Sequence, residues 1–310
     1  MARNPKGPAS WTRRHLLGIR ELTRGELEAI LTLSSEIKKT PPPNDSLRGR
    51  RLLTFFAESS TRTRTSFGIA ARNLGAEVID LSPAGSSLSK GESLRDTAQT
   101  IDALGVHFAV VRHPASGAPH KVAGAIKGSV INAGDGSNEH PTQALLDLFT
   151  IRERLGRLDN LRIALVGDIL HSRVARSNLW AHRLLGNRVT LVGPATLIPR
   201  GIESTGAEVV HDLDAVLPDH DVIMMLRLQL ERQRAGLFPS TAEYTTLFGL
   251  TRERLARLRK GAIVMHPGPM NRGWEIASES ADGPQSTILD QVRNGICVRM
   301  AALSLLNGAK

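Results

Sequence analysis

The residue types most able to do chemistry in this chain gather where short apolar runs give way to helical patterns. The first such place is Phe55-Phe56-Ala57-Glu58-Ser59-Ser60-Thr61-Arg62-Thr63-Arg64-Thr65-Ser66-Phe67. A strand ends there, hydroxyls and two arginines follow, and Phe67, Ile69, Ala70 and Leu74 begin a helical repeat. Backbone N–H groups and the positive end of the dipole collect at a helix N-terminus, which suits a phosphate. Arg62 can offer a planar fork to two oxygens, and Ser60, Thr61 and Thr63 can add hydroxyl donors. The competing reading is a Ser- or Thr-capped helix with solvated arginines. A Walker loop is excluded, because GxxxxGK[ST] does not occur.

Other stretches share this form. Ser86-Ser87-Leu88-Ser89-Lys90-Gly91-Glu92-Ser93 is a polar loop before a helix. It reads either as a surface loop or as a device that closes the Lys90 ammonium over an anion. Val110-Val111-Arg112-His113-Pro114 runs a strand into an arginine, at the end where ligands of open α/β sheets sit. Asn132 to Asp147 is more specific: a strand, a glycine turn, then His140 directly before Pro141 and a helix, with Gln143 one turn on. Near a positive helix end an imidazole has its charged form disfavoured and keeps an N–H for a carbonyl oxygen, so His140 reads as an electrophile. A structural cap histidine is the alternative.

In the second half, Val166-Gly167-Asp168-Ile169-Leu170-His171-Ser172-Arg173 opens like a dinucleotide-binding unit but lacks the G-x-G-x-x-G glycines. An arginine stands near its helix start, which favours a carboxylate over a pyrophosphate. Met224-Met225-Leu226-Arg227-Leu228-Gln229 delivers Arg227 and Gln229 at another strand end. Two separate arginines suit a ligand with two carboxylates. Met265-His266-Pro267-Gly268-Pro269-Met270 flanks a glycine with prolines; such a turn can hold a cis X–Pro bond and aim carbonyls at an amide or amine.

The elements that position these groups follow from the hydrophobic pattern. Strands are expected at Leu52–Phe56, Glu77–Asp80, Phe108–Arg112, Val130–Asn132, Arg162–Gly167, Val189–Val192, Glu208–His211, Val222–Leu226 and Ile263–Met265. They alternate with helical patterns, which is the sequence form of an α/β protein with parallel sheets. Thr23-Arg24-Gly25-Glu26 resembles a capping box opening a helix to about Lys38, with Leu27, Ile30, Leu31 and Ser34 on one face. The segment from Thr287 to Leu306 makes one or two closing helices. A length of 310 residues favours two domains, with a boundary expected between Leu145 and Ile163. Met1 to Ser10 reads as a solvated tail.

Forty Lys and Arg against thirty Asp and Glu give a formal charge of +10, which favours acidic partners without choosing among them. One cysteine, Cys297, rules out an internal disulfide framework and a Cys-rich metal site. That points to a reducing compartment, with the cytoplasm as default. No run approaches the ~20 apolar residues that span a bilayer, and no signal-peptide pattern is seen.

Taken together and in this order, the Ser60-Thr61-Arg62-Thr63-Arg64, Lys90-Gly91-Glu92, Arg112-His113-Pro114, His140-Pro141-Thr142-Gln143, Arg173, Arg227-x-Gln229 and His266-Pro267-Gly268-Pro269 motifs resemble the carbamoyltransferase family, in its aspartate-using branch. The resemblance runs from about Leu17 to Leu306. It implies two domains, each a parallel β-sheet flanked by helices: 1–150 for carbamoyl phosphate, with a C-terminal helix at 288–310 packed back on it, and 151–287 for aspartate.

Site by site, the resemblance implies that Ser60, Thr61, Arg62 and Thr63 bind phosphate and that Arg112 bridges phosphate and carbonyl oxygens. His140 joins Thr63 and Arg112 at the carbonyl oxygen, while Gln143 and the backbone of Gly268 and Pro269 hold the carbamoyl amide. Lys90, Arg173, Arg227 and Gln229 take the aspartate, with Ser86 and Lys90 contributed by a neighbouring subunit of a homotrimer. The resemblance leaves open whether such trimers stand free, are joined by regulatory subunits, or assemble with dihydroorotase-type chains. No cofactor, metal, nucleic acid or membrane is implied.

Three other readings are weaker. An ornithine-using enzyme typically carries a His-Cys-Leu-Pro turn where this chain has His266-Pro267-Gly268-Pro269. A nucleic-acid binder would use stacking aromatics, which make up only 4% of the chain, and clustered rather than scattered arginines. A dehydrogenase would carry the missing glycine fingerprint.

Overall fold

The computed structural model describes residues 11–81, 92–229 and 240–309. Ser86, Lys90 and the expected N-terminal tail lie outside the described residues. The chain forms two compact units, the first running to Leu146 and resuming at Arg293, the second comprising Asp147–Val292.

In the first unit, strands β1 (Arg51–Phe56), β2 (Glu77–Leu81), β3 (Phe108–His113) and β4 (Ser129–Asp135) form a wholly parallel sheet in the order β2-β1-β3-β4. Helices α1 (Arg24–Lys39), α2 (Thr61–Asn73), α3 (Leu94–Ala103) and α4 (Ala118–Ala123) accompany it. Helix α5 (Pro141–Leu155) starts in this unit and ends in the second. A parallel sheet covered on both faces needs apolar residues at nearly every position. β1 accordingly buries all but Arg51, and β4 buries every residue. Each fully buried Leu, Ile, Val or Phe of this kind contributes about 1.5–3 kcal/mol.

The capping box at the start of α1 forms in full: Thr23 Oγ1 accepts the Glu26 N–H at 3.2 Å, and Glu26 Oε2 accepts the Thr23 N–H at 2.8 Å. Leu27, Ile30, Leu31 and Ser34 are all buried, as the sequence repeat requires.

In the second unit, β5 (Arg162–Val166), β6 (Arg188–Val192), β7 (Glu208–Val210), β8 (Val222–Met225) and β9 (Ile263–Met265) form a second parallel sheet in the order β7-β6-β5-β8-β9. It is accompanied by α6 (Arg173–Leu184), α7 (Thr241–Phe248), α8 (Arg252–Leu255) and α9 (Ser278–Asp282). Two buried clusters form its core, one around Val166, Ile223 and Tyr244, the other around Ile163, Leu165 and Met224.

The closing segment is a single helix, α10 (Ile288–Gly308), which starts in the second unit and returns to the first. In the first unit it is held by Lys38 donating to Asn294 Oδ1 at 2.8 Å and by the Arg299 guanidinium 5.1 Å from the centre of the Phe67 ring. The expected α/β architecture of two helix-flanked parallel sheets is therefore the observed one.

Candidate active site

Both sheets are doubly wound, so each has one position where successive strands depart in opposite directions. In the first sheet it lies between β1, which leads outward to β2, and β3, which leads to β4. In the second it lies between β5 and β8. Crevices at such points, at the carboxyl ends of the strands, are where open α/β sheets bind ligands.

The first switch point is flanked by the Ser60–Thr63 turn after β1 and by Arg112 near the end of β3. Ser60 occupies the N-cap position of α2, but its hydroxyl makes no capping bond; it donates instead to Thr63 Oγ1 at 3.0 Å. Ser93 and Ser172, at the N-caps of α3 and α6, do accept a backbone N–H. No acidic side chain occupies the first turn of α2, so its dipole is left available to an external anion. Thr63 is buried, while Thr61 and Arg62 are exposed. Arg64 points elsewhere, to Asp80 Oδ2 at 3.2 Å and over the Phe56 ring at 5.3 Å.

Arg112 donates to Glu58 Oε1 at 2.6 Å and to the Ala133 carbonyl at 3.2 Å. Its own carbonyl accepts the Ala57 N–H at 2.8 Å, which ties the ends of β1 and β3 together. The neighbouring His113 is held below its ordinary pKa by burial, offset in part by the charges of Asp135 and Glu58, and its Nδ1 accepts the Ala115 N–H at 2.9 Å.

His140 and Gln143 follow β4, the strand next to β3, at the same edge of the sheet. Both are buried, and the His140 carbonyl accepts the Gln143 N–H at 3.0 Å to open α5. A buried carboxylate organises the turn before it. Asp135 accepts the Glu139 N–H at 3.1 Å, the Asn132 amide at 2.7 Å and the Gly117 N–H at 2.6 Å. Glu139 in turn accepts the Ile19 N–H at 2.7 Å, anchoring the turn to the N-terminal segment. Gly136, at φ 49°, has no room for a Cβ, which would meet the Pro114 carbonyl at 2.9 Å.

In the second unit, Arg173 is the first residue of α6, buried, after the Ser172 cap, and Arg227 and Gln229 follow β8. These residues flank the second switch point. Gly167 adopts φ 129° at the end of β5; a Cβ there would meet the Leu226 carbonyl at 2.9 Å and the Tyr244 hydroxyl at 3.0 Å. That contact accounts for a glycine without the rest of the dinucleotide fingerprint. Burial, with the charges of Glu275 and Asp168, pushes the Tyr244 phenol upward, which keeps it neutral.

Gly268 and Pro269 follow β9, beside β8, and their peptide bond is cis. His266 shapes this turn. Its Nδ1 accepts the Gly268 N–H at 2.8 Å, which leaves the proton on Nε2 to donate to Glu275 Oε1 at 3.2 Å. The same carboxylate oxygen accepts the Asn271 N–H at 2.6 Å.

The structure thus gathers Ser60, Thr61, Arg62, Thr63, Arg112, His140 and Gln143 along one edge of the first sheet. Arg173, Arg227, Gln229, Gly268 and Pro269 gather along one edge of the second. Glu58, Asp135, Glu139, Asp168 and Glu275 were not singled out from sequence, although each lies in or near a motif. Their signal was a carboxylate among glycines and prolines, which alone does not separate an internal acceptor from a solvated one. Among the described residues, no group of three or more His, Cys, Asp or Glu could hold a metal ion.

Comparison with known proteins agrees across nearly the whole chain. Residues 14–153 match the family model described as the aspartate/ornithine carbamoyltransferase carbamoyl-P binding domain, and residues 159–306 match its Asp/Orn binding domain. An aspartate carbamoyltransferase catalytic subunit from Parafrankia sp. is 58% identical over 272 residues, covering 88% of this chain and 87% of the relative. One from Acidothermus cellulolyticus is 55% identical over 303 residues, covering 95% and 93%.

Among solved structures, aspartate transcarbamoylase from Trypanosoma cruzi in complex with carbamoyl phosphate and aspartate superposes with a TM-score of 0.87 at 31% identity, covering 96% of this chain and 99% of that one. Ornithine carbamoyltransferase from Thermus thermophilus gives 0.85 at 27% identity, covering 95% and 99%. On the strength of both family models and of relatives above half identity, this chain belongs to the aspartate/ornithine carbamoyltransferase family.

Proposed function

We propose that this chain transfers the carbamoyl group of carbamoyl phosphate to the amino group of L-aspartate, giving N-carbamoyl-L-aspartate and phosphate, an early step of de novo pyrimidine biosynthesis. The observation that carries the choice of aspartate is the pair of arginines, Arg173 at the start of α6 and Arg227 after β8, on either side of the second switch point. Two guanidinium forks match two carboxylates. Ornithine would instead call for an acidic partner to its second amine. The Parafrankia and Acidothermus relatives, named as aspartate carbamoyltransferase catalytic subunits, support the same choice.

In this reading Ser60, Thr61, Arg62 and Thr63 hold the phosphate at the start of α2. Arg112 spans phosphate and carbonyl oxygens, and Gln143 with the Gly268 and Pro269 carbonyls orients the carbamoyl amide. Arg173, Arg227 and Gln229 fix the aspartate, together with Lys90. The unprotonated amine attacks the carbonyl carbon, and negative charge grows on the carbonyl oxygen. Thr63, Arg112 and His140 donate to that oxygen as an oxyanion hole does. The C–O bond to phosphate then breaks, and the departing phosphate accepts the amine proton. Positioning and electrostatics supply the acceleration, with no covalent intermediate on the protein.

The enzyme is further read as a cytoplasmic homotrimer in which Ser86 and Lys90 of one subunit enter the site of the next. Among the described residues no helix is long and apolar enough to cross a membrane.

Steady-state kinetics with aspartate and ornithine offered separately test the assignment. Carbamoyl transfer to aspartate with little or none to ornithine is expected; turnover with ornithine alone contradicts it.

A further inference from the structure

One buried carboxylate on the aspartate side has no part in the mechanism above. Asp168, one residue past Gly167 at the end of β5, is fully buried. Both of its oxygens face His171: Oδ1 accepts the His171 backbone N–H at 3.1 Å and lies 2.9 Å from Nδ1, while Oδ2 lies 3.0 Å from Nδ1. A carboxylate can only accept, so Nδ1 of the imidazole carries a proton in this arrangement. The ring and the peptide of His171 are thereby held by one side chain. The His171 carbonyl then accepts the side-chain amide of Gln229 at 3.1 Å. Gln229 is one of the residues assigned above to the substrate, and it stands just beyond the end of β8, with no regular element of its own to hold it.

From this geometry we infer that His171 is a positioning residue for aspartate, anchored by Asp168 and setting the orientation of the Gln229 amide. The inference rests on the functional reading given above. Each link follows from hydrogen-bonding chemistry. A Gln side chain at a strand end has three rotatable bonds, and tying its Nε2 to a fixed carbonyl removes much of that freedom before the substrate arrives. The carbonyl is fixed because the preceding N–H closes a turn onto Asp168. Asp168 in turn cannot relax toward water, since it is buried. His171 itself is only partly buried, about one-fifth exposed at its side chain, so it sits at the rim of this half of the site rather than in the core.

The test is a set of substitutions at His171, read by Michaelis constants for each substrate separately. An Asn side chain places its amide nitrogen where Nδ1 stands and retains the donor to Asp168. Gln instead mimics Nε2, and Ala keeps neither. Loss of one ordering hydrogen bond to a charged or fixed group is worth about tenfold in affinity. His171→Ala and His171→Gln should therefore raise the aspartate KM by about tenfold, leaving the carbamoyl phosphate KM within about twofold, and His171→Asn should recover most of the loss. Circular dichroism and thermal melting of each variant report folding. A folded His171→Ala with an unchanged aspartate KM overturns the inference, as does a folded His171→Asn no better than the alanine variant. Unequal partition matters here, because a purely structural role would move both KM values together. Failure of the wild-type protein to carbamoylate aspartate at all overturns the functional reading instead, and the two failures are distinct.

Discussion

The hydroxyl of Ser60 donates to the hydroxyl of Thr63 at 3.0 Å instead of capping the helix it precedes. A Ser in that position ordinarily stabilises its helix by about 1 kcal/mol, so the absence of the cap bond has a consequence. Ser60→Ala should leave thermal stability nearly unchanged and weaken binding of carbamoyl phosphate or inorganic phosphate by about tenfold. Calorimetric titration alongside a melting curve checks both halves; a large drop in melting temperature with intact binding would show that the hydroxyl serves the fold.

His140 is assigned to the carbonyl oxygen and not to the phosphate. His140→Ala should lower kcat on the order of 10²- to 10³-fold, with carbamoyl phosphate affinity largely intact. Single-turnover rates together with equilibrium binding separate the two effects, and an unchanged turnover number would remove His140 from the mechanism.

In the proposed reading the guanidinium fork of Arg173, at the start of α6, takes a planar carboxylate, which an ammonium cannot match in geometry. Arg173→Lys should raise the aspartate KM by about tenfold or more while sparing carbamoyl phosphate. Arg227→Lys should act in the same direction. Equal damage to both substrates would contradict a role confined to aspartate.

Burial holds His182, on α6, down to about 3, and its Nδ1 stands 3.0 Å from the Asn187 amide nitrogen. The folded state keeps this imidazole neutral where the unfolded chain protonates it near its ordinary value of 6.5. The group's contribution is therefore fully present above about pH 6.5 and is lost progressively as pH falls toward 3. Within that window the loss runs at about 1.4 kcal/mol per pH unit. Urea denaturation of the wild type and of His182→Gln between pH 7 and pH 4 reads this directly: the wild type should lose stability more steeply. Parallel curves would place the acid lability elsewhere.

Much of this architecture was legible in the residues, and for a physical reason. Parallel strands buried on both faces must be apolar throughout, so runs such as Leu52–Phe56 and Val222–Leu226 stand out between helical repeats. They match β1 and β8 to within a residue. The strand β4 extends further than the run Val130–Asn132 suggests, to Asp135, because its last residues pass through glycine and are held by side-chain bonds to Asn132 and Asn138. The helices α4, α8 and α9 span 4 to 6 residues, too short to show a helical period.

The candidate residues stand out in sequence where a motif follows a strand, as with Arg112 and Arg227 at strand ends and Arg173 at the start of the next helix. What the sequence could not disclose is pairing across distance. That Glu58 meets Arg112, that Glu139 holds the N–H of Ile19, or that His171 carries Gln229 depends on which strand ends the sheet order brings side by side. The same holds for Ser60, whose composition suits a cap as well as it suits an anion site.

The most direct measurement of the central claim follows the label. Carbamoyl phosphate carrying ¹³C at the carbonyl carbon is supplied to the purified protein with equimolar aspartate and ornithine, and the product is identified by NMR. The account predicts that the label appears in N-carbamoyl-aspartate together with an equal amount of phosphate, and that Arg173→Lys depresses this product. Label found in citrulline, or phosphate released without any carbamoylated amine, would contradict it.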